Sequence, residues 1–181
     1  PALWAYLFRL WMPAEGRSHR EQKLREIAAP WGAAGDVQQT DGDAIDPAAI
    51  EEGVIAVAGV LQLVGLAYDP VNATSTAQRL TEHGIDCVKF TQAMSTFAEP
   101  TKLFEEDILR GLVRHGGNPA VRWMMANMVA VTNGAGHRMP SRKKSRHKID
   151  AGVAAVMARG RAIAGGGPTG SYYDSHPIEV A

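Results

Sequence analysis

Cysteine is almost missing from this chain: Cys87 is the only one in 181 residues. That excludes an internal disulfide framework and a cysteine-rich zinc site, and it suits a reducing compartment. With Ile85, Val88 and Phe90 around it, the thiol is expected in a buried strand. Net charge is missing as well, because 19 lysines and arginines balance 19 aspartates and glutamates. Bulk charge therefore neither demands nor forbids a polyanionic partner, and local distribution has to decide. No run reaches the roughly 18 to 20 apolar residues of a membrane span, and no charged-then-apolar leader opens the chain, so no membrane partner is expected. Absent motifs narrow the chemistry further. There is no GxxxxGK[ST] phosphate loop, no HExxH and no close His/Cys quartet, and "GGGPTGS" lacks the lysine of a phosphate loop, which argues against an ATPase or a zinc enzyme. An initiator methionine is absent too. The chain enters "ALWAYLFRLW" directly, so residues upstream of Pro1 are expected.

What the sequence does contain is an alternation of elements. Residues 2–12 read as a strand that stops at Met12-Pro13. Ser18 and Glu21 form a capping box for a helix that Pro30 is expected to end. Asp46 followed by Pro47 suits the entrance of a helix reaching about Val60. "LQLVGLAYDP" reads as a buried strand closing on Asp69, "NATSTAQRLTEHG" as a helix leaving at Gly84, and "IDCVKF" as another strand. Residues 91–99 are expected as loop, with Pro100 opening a helix to about Gly111. "AVRWMMANM" is helical, "VAVTNGAGHRMP" is a hairpin about Asn133-Gly134, and a last helix follows the basic run. The order strand, helix, strand favours an α/β sheet with parallel pairs. One domain over residues 1–164 and a mobile glycine- and proline-rich tail over 165–181 complete the organisation.

Three features carry candidate chemistry. Arg138, Arg142, Lys143, Lys144, Arg146 and Lys148 crowd eleven residues; such a run is either a solvated loop or a site for phosphate backbones, held by charge without base specificity. Asp150 follows it, near the start of the last helix, where acids commonly complement the helix dipole. Its spacing to Val153, Ala154 and Met157 also points it toward apolar packing, where a carboxylate needs a cation, a metal or hydrogen bonds. Asp69 ends an apolar strand, the place where α/β proteins hold ligands, although a turn aspartate before proline explains it equally well. Two such acids suit a hard divalent ion such as magnesium or manganese. A metal pair roughly 3.5 to 4 Å apart activates water and stabilises the leaving oxygen of a phosphodiester. His115 and His147 are the histidines closest to these features, each more simply a loop or surface residue, and the four tryptophans are most simply core.

The ordered set "YDPVNAT" (68–74), "LTEHGI" (80–85), "FTQAMSTFAEPTKLFEEDILRGLVRHGGNPAVRWMMANM" (90–128) and "KKSRHKIDAGVAAVMARGRA" (143–162) resembles the C-terminal nuclease domain of tailed-phage terminase large subunits, which cut concatemeric DNA and drive it into procapsids. The succession HGGNP, RWM and KS…KID is its most specific part. The resemblance implies an α/β, RNase H-like mixed sheet flanked by helices, with acids from the first strand, a central strand and the final helix holding two Mg2+ or Mn2+ ions. By motif, Asp69 looks like the central-strand acid and Asp150 like the final-helix acid, so these two are the catalytic and metal candidates. Arg142, Lys143, Lys144, Ser145 and Lys148 are the DNA-binding candidates. Double-stranded DNA, a terminase small subunit and a portal are the implied partners, in the cytoplasm of an infected bacterial host or encoded by a prophage. Two departures stand out. The family's first-strand acid, in a DLS-like motif, should precede "ALWAYLFRLW", and nothing here matches it; a sheet lacking its first strand is expected, with a catalytically incomplete DNA-binding or assembly module as the alternative function. Ala151 also intervenes between the final acid and Gly152. A resolvase or transposase would explain the acids but not HGGNP…RWM. Glu105 stays outside the site, since pairing along its helix face explains it.

Overall fold

The computed structural model describes residues 3–16 and 18–165, so nearly all of the expected tail lies outside the described residues. In chain order the elements are β1 (Trp4–Ala5), β2 (Trp11–Pro13), α1 (His19–Ala33), β3 (Gln38–Thr40), α2 (Pro47–Ala58), β4 (Leu66–Tyr68), α3 (Thr74–Glu82), β5 (Cys87–Lys89), α4 (Met94–Leu109), β6 (Val113–Arg114), α5 (Pro119–Ala126), β7 (Ala130–Thr132), β8 (Arg138–Pro140) and α6 (Asp150–Ile163). The chain is mixed α/β, as its alternation predicts. Its strands, however, form four separate pairs among the described residues: β1 with β6, β2 with β3 and β4 with β5 in parallel, and β7 with β8 antiparallel. Among the described residues these pairs do not join into one continuous mixed sheet. Between β1 and β2 the side chains still alternate as in a strand, with Tyr6, Phe8 and Leu10 turned inward and Leu7 83% exposed. Side-chain patterning there is strand-like, but backbone pairing is made only at its ends, where the Tyr6 amide donates to the Arg114 carbonyl at 2.7 Å and the Leu10 carbonyl accepts from the Gln38 amide at 2.8 Å.

Local chemistry explains most boundaries. The capping box forms: the Glu21 amide donates to Ser18 Oγ at 3.2 Å, and the Ser18 amide donates to Glu21 Oε2 at 2.9 Å. Pro30 does not end α1. It lies inside the last turn, where its missing N–H costs one intrahelical bond and the turn closes through the Ala34 amide on the Pro30 carbonyl at 3.0 Å. Asp46 Oδ1 caps α2 by accepting from the Ala48 amide at 2.9 Å, ahead of Pro47. Residues 94–99, expected as loop, are the first turns of α4, and Pro100 is a buried interior residue of that helix.

The core lies between α4 and α6 and is built from Phe90, Phe97, Phe104, Ile149, Val153, Ala155, Val156 and Met157. Phe90 and Phe97 meet edge to face with centroids 5.0 Å apart. A side chain at Gly160 would place its Cβ 2.6 Å from the Phe90 ring and 3.0 Å from Pro100, so only glycine lets α6 approach there. Arg159 Nε donates to the buried Asp107 Oδ2 at 2.7 Å, with the Arg159 side chain 13% exposed, and its guanidinium lies 4.2 Å from the Trp4 ring centroid. Cys87 does sit in a strand but is only half-buried, because β5 forms one side of a two-stranded pair whose Val88 and Lys89 face solvent.

Candidate functional site

The cationic segment joins β8 to α6 as a turn shaped by two serines. Ser145 Oγ donates to the Ser141 carbonyl at 2.8 Å and accepts from the Val129 amide at 3.0 Å. Ser141 Oγ accepts from the Lys144 amide at 3.3 Å. Ser145 is only 7% exposed, so the residue expected to touch DNA has its hydroxyl spent on holding the loop. Spending the serines inward turns the neighbouring cations outward: Arg142, Lys143, Lys144, Arg146 and Lys148 are all exposed. Two members of the run are paired. Arg138 Nη1 donates to Glu105 Oε1 at 2.8 Å, so Glu105 serves a cross-element pair rather than one along its own helix. Arg142 Nη2 lies 3.1 Å from Asp150 Oδ1. Lys143, Lys144, Arg146 and Lys148 have no carboxylate partner among the described residues.

Asp150 is the first residue of α6, which has no side-chain cap. The buried stripe of the helix runs through Ile149, Gly152, Val153 and Val156, whereas Ala154 and Ala158 are exposed. Asp150 therefore sits about 100° round from the packed face, and its side chain is 45% exposed. The inward direction expected from Val153, Ala154 and Met157 is corrected on that ground: Val153 and Met157 belong to the core, and the 150–154–158 row faces out. A Cβ at Gly152 would lie 2.5 Å from Met128 Sδ, so this glycine, one position later than in the family pattern, seats α6 against the end of α5.

Asp150 borders two cavities. One, of about 460 Å³, is walled by Arg142, Arg146, His147 and Lys148 and closed by Glu21 and Leu24 of α1. The other, of about 490 Å³, is a largely apolar groove between the Phe8–Met12 segment, α1 and the exposed Ala154 of α6. His147 packs its ring 5.1 Å from Trp123, which in turn lies 5.5 Å from Trp31. All four tryptophans are half-buried rather than core. The α1 wall was not legible in the sequence, since nothing in Glu21 or Leu24 signals proximity to residues near position 150.

Asp69 follows β4, which is half-buried rather than dry. Its Oδ1 accepts from the Val71 amide at 3.0 Å, and its carbonyl accepts from the Ala73 amide at 3.2 Å, the local bonding of a turn aspartate. Both aspartates are hard-oxygen donors of the type that magnesium and manganese take. Donor number is the difficulty: no three His, Cys, Asp or Glu side chains come together among the described residues. These residues do not make a complete metal site by themselves.

The sequence profile described as "Terminase large subunit, endonuclease domain" matches residues 3–166. The chain belongs to this family. The terminase nuclease chain is also 27% identical over 161 residues to Protein YmfN of Escherichia coli (strain K12), a match that covers 86% of the chain and 35% of the relative. It superposes on the crystal structure of the HK97 bacteriophage large terminase with a TM-score of 0.74 at 25% identity, covering 83% of this chain and 32% of that one. The large terminase nuclease from the thermophilic phage G20c matches with a TM-score of 0.52 at 13% identity, over 65% and 63% of the two chains, and supports the RNase H-like fold alone. The terminase nuclease chain thus spans about a third of the length of its curated relative. Among the described residues, no helix is long and apolar enough to cross a membrane.

Proposed function

We propose that this chain is the part of a packaging large subunit that hydrolyses phosphodiester bonds of double-stranded concatemeric DNA, with Asp69 and Asp150 among its catalytic acids. The observation that carries this reading is the family match over residues 3–166, joined to the position of Asp150 beside a cavity walled by Arg142, Arg146 and Lys148. Lys143 and Lys144 would hold DNA backbone phosphates, so binding would weaken steeply with salt. Ser145 would shape the loop that presents them. A hard divalent ion, magnesium or manganese, would supply a water nucleophile at neutral pH and charge stabilisation at the departing oxygen. Asp69 and Asp150 would hold only part of such a site. We infer that a strand outside the described residues brings the remaining acid: β4 has β5 as its one partner among the described residues, residues 7–9 make no ladder bond there, and the 490 Å³ groove between Phe8 and Ala154 opens onto Asp150. On this reading residues 1–164 are the nuclease domain, working with a small subunit and a portal in the cytoplasm of an infected or lysogenic bacterium.

The test is plasmid cleavage by the complete large subunit in manganese. Asp150→Asn is expected to abolish cutting while leaving the circular dichroism spectrum and melting temperature unchanged, and cleavage that survives the change removes Asp150 from the mechanism. The second reading, a DNA-binding or assembly module, is favoured by the missing third donor. It predicts that this chain alone binds duplex DNA in a salt-dependent way and cuts nothing in any metal; turnover by the chain as it stands eliminates it.

A further inference from the structure

We propose that Arg142 is a shared cation, held by Asp150 in the free protein and taken over by a backbone phosphate when duplex DNA binds. This exchange rests on the nuclease reading above and adds a step that reading does not contain: DNA itself uncovers the acid.

Arg142 Nη2 and Asp150 Oδ1 are 3.1 Å apart, with side chains 57% and 45% exposed. A pair so open to water is weak and screened by salt, so a competing anion can displace the carboxylate without prior unfolding of the loop. The surroundings favour a phosphate as that competitor. Arg146 and Lys148 line the same 460 Å³ cavity without carboxylate partners among the described residues, and Lys23 lines it from α1, so an anion entering it meets four cations, Arg142 included, against the two acids Glu21 and Asp150. A guanidinium also takes a phosphate through two parallel N–H donors, whereas only one short contact is made to Asp150. Once Arg142 turns to the backbone, the Asp150 carboxylate is left facing the cavity unpaired. The neighbouring Arg138–Glu105 pair is an internal contrast. It is similarly exposed, at 46% and 41%, but lines neither of the cavities at Asp150, so it should not exchange.

The experiment is binding of a fluorescein-labelled duplex to the chain, followed by anisotropy in EDTA so that no cleavage interferes, for the unmodified protein, Arg142→Gln, Asp150→Asn and the double variant. Asp150→Asn is expected to tighten binding by about two- to fivefold, the range set by an exposed ion pair, and to do so only when Arg142 is present. Arg142→Gln is expected to weaken binding and to lower the salt slope by about 0.9. Glu105→Gln, the control, is expected to leave the Arg142 effect unchanged. Equal tightening by Asp150→Asn in both backgrounds would mean that the acid acts only as bulk negative charge, and this overturns the exchange, as does no tightening at all. Should Lys143→Ala and Lys144→Ala leave DNA binding untouched, the DNA-contact reading itself fails, a result distinct from loss of the coupling. Melting temperatures of each variant confirm that folded proteins are compared.

Discussion

Helices α6 and α2 are both apolar in sequence and have opposite fates. Ala151, Gly152, Val153, Ala155, Val156 and Met157 of α6 are buried, whereas α2, which carries Ile50, Val54, Ile55 and Val57, buries no residue. Apolar content does not separate them. What does is close approach: Gly152 and Gly160 let α6 settle against Met128 and Phe90, and dispersion and area burial then follow. Helix α2 is held instead by surface links. Glu51 pairs with Arg79 of α3, whose hydrogen bond keeps the Glu51 carboxyl below its ordinary range, and Trp11 packs over Gly53. Helix α6, with more buried residues than any other helix among the described residues, carries Asp150 and the loop of cations at its head.

That contrast can be broken by substitution, and the largest effect is expected at the buried pair anchoring α6. Asp107→Ala leaves the largely buried Arg159 guanidinium without its carboxylate, with only the Trp4 ring beside it, and should cost about 3–5 kcal/mol in urea unfolding; a cost below about 1 kcal/mol would mean that the pair does not anchor the helix. Gly152→Ala drives a Cβ into Met128 Sδ and should cost about 1–3 kcal/mol. If Met128 swings away at no cost, close approach is not what fixes α6. Tyr6 gives a smaller, pH-dependent effect. Burial, opposed by Arg159 and reinforced by Asp107, pushes its phenol from 10.0 up to about 12. Its neutral form is favoured in the folded chain, so stability is full below pH 10 and falls as pH rises from 10 towards 12. Tyr6→Phe should flatten that fall in melting temperature, and it should not destabilise at neutral pH, because the buried hydroxyl has no hydrogen-bond partner. Smallest of all, Ile55→Ala on α2 should change stability by no more than about 0.5 kcal/mol. A larger loss would show that α2 packs more tightly than its exposure indicates.

Signals resolved within a few residues were legible in the sequence. The capping box of Ser18 and Glu21, the Asp46-Pro47 entrance and the β7–β8 hairpin each depend on neighbours a turn away. Even there the details shifted: the hairpin loop spans residues 133–137, organised by Asn133 Oδ1 accepting from the Ala135 and His137 amides at 3.0 and 2.9 Å. Pro30 and Pro100 misled because a proline weakens a helix by one bond, and packing on other elements can outweigh that loss.

The sequence by itself determined the family, the alternation of helices and strands, and the concentration of cations just ahead of Asp150, because these are properties of order and spacing along the chain. Only the tertiary structure decided that Ser145 turns inward, that Glu105 meets Arg138, and that Asp150 faces Arg142 and two cavities instead of the core. The reason is angular. One residue along a helix rotates a side chain by about 100°, so overlapping apolar stripes stay ambiguous until α4 and α5 occupy one side of α6 and leave Asp150 on the other.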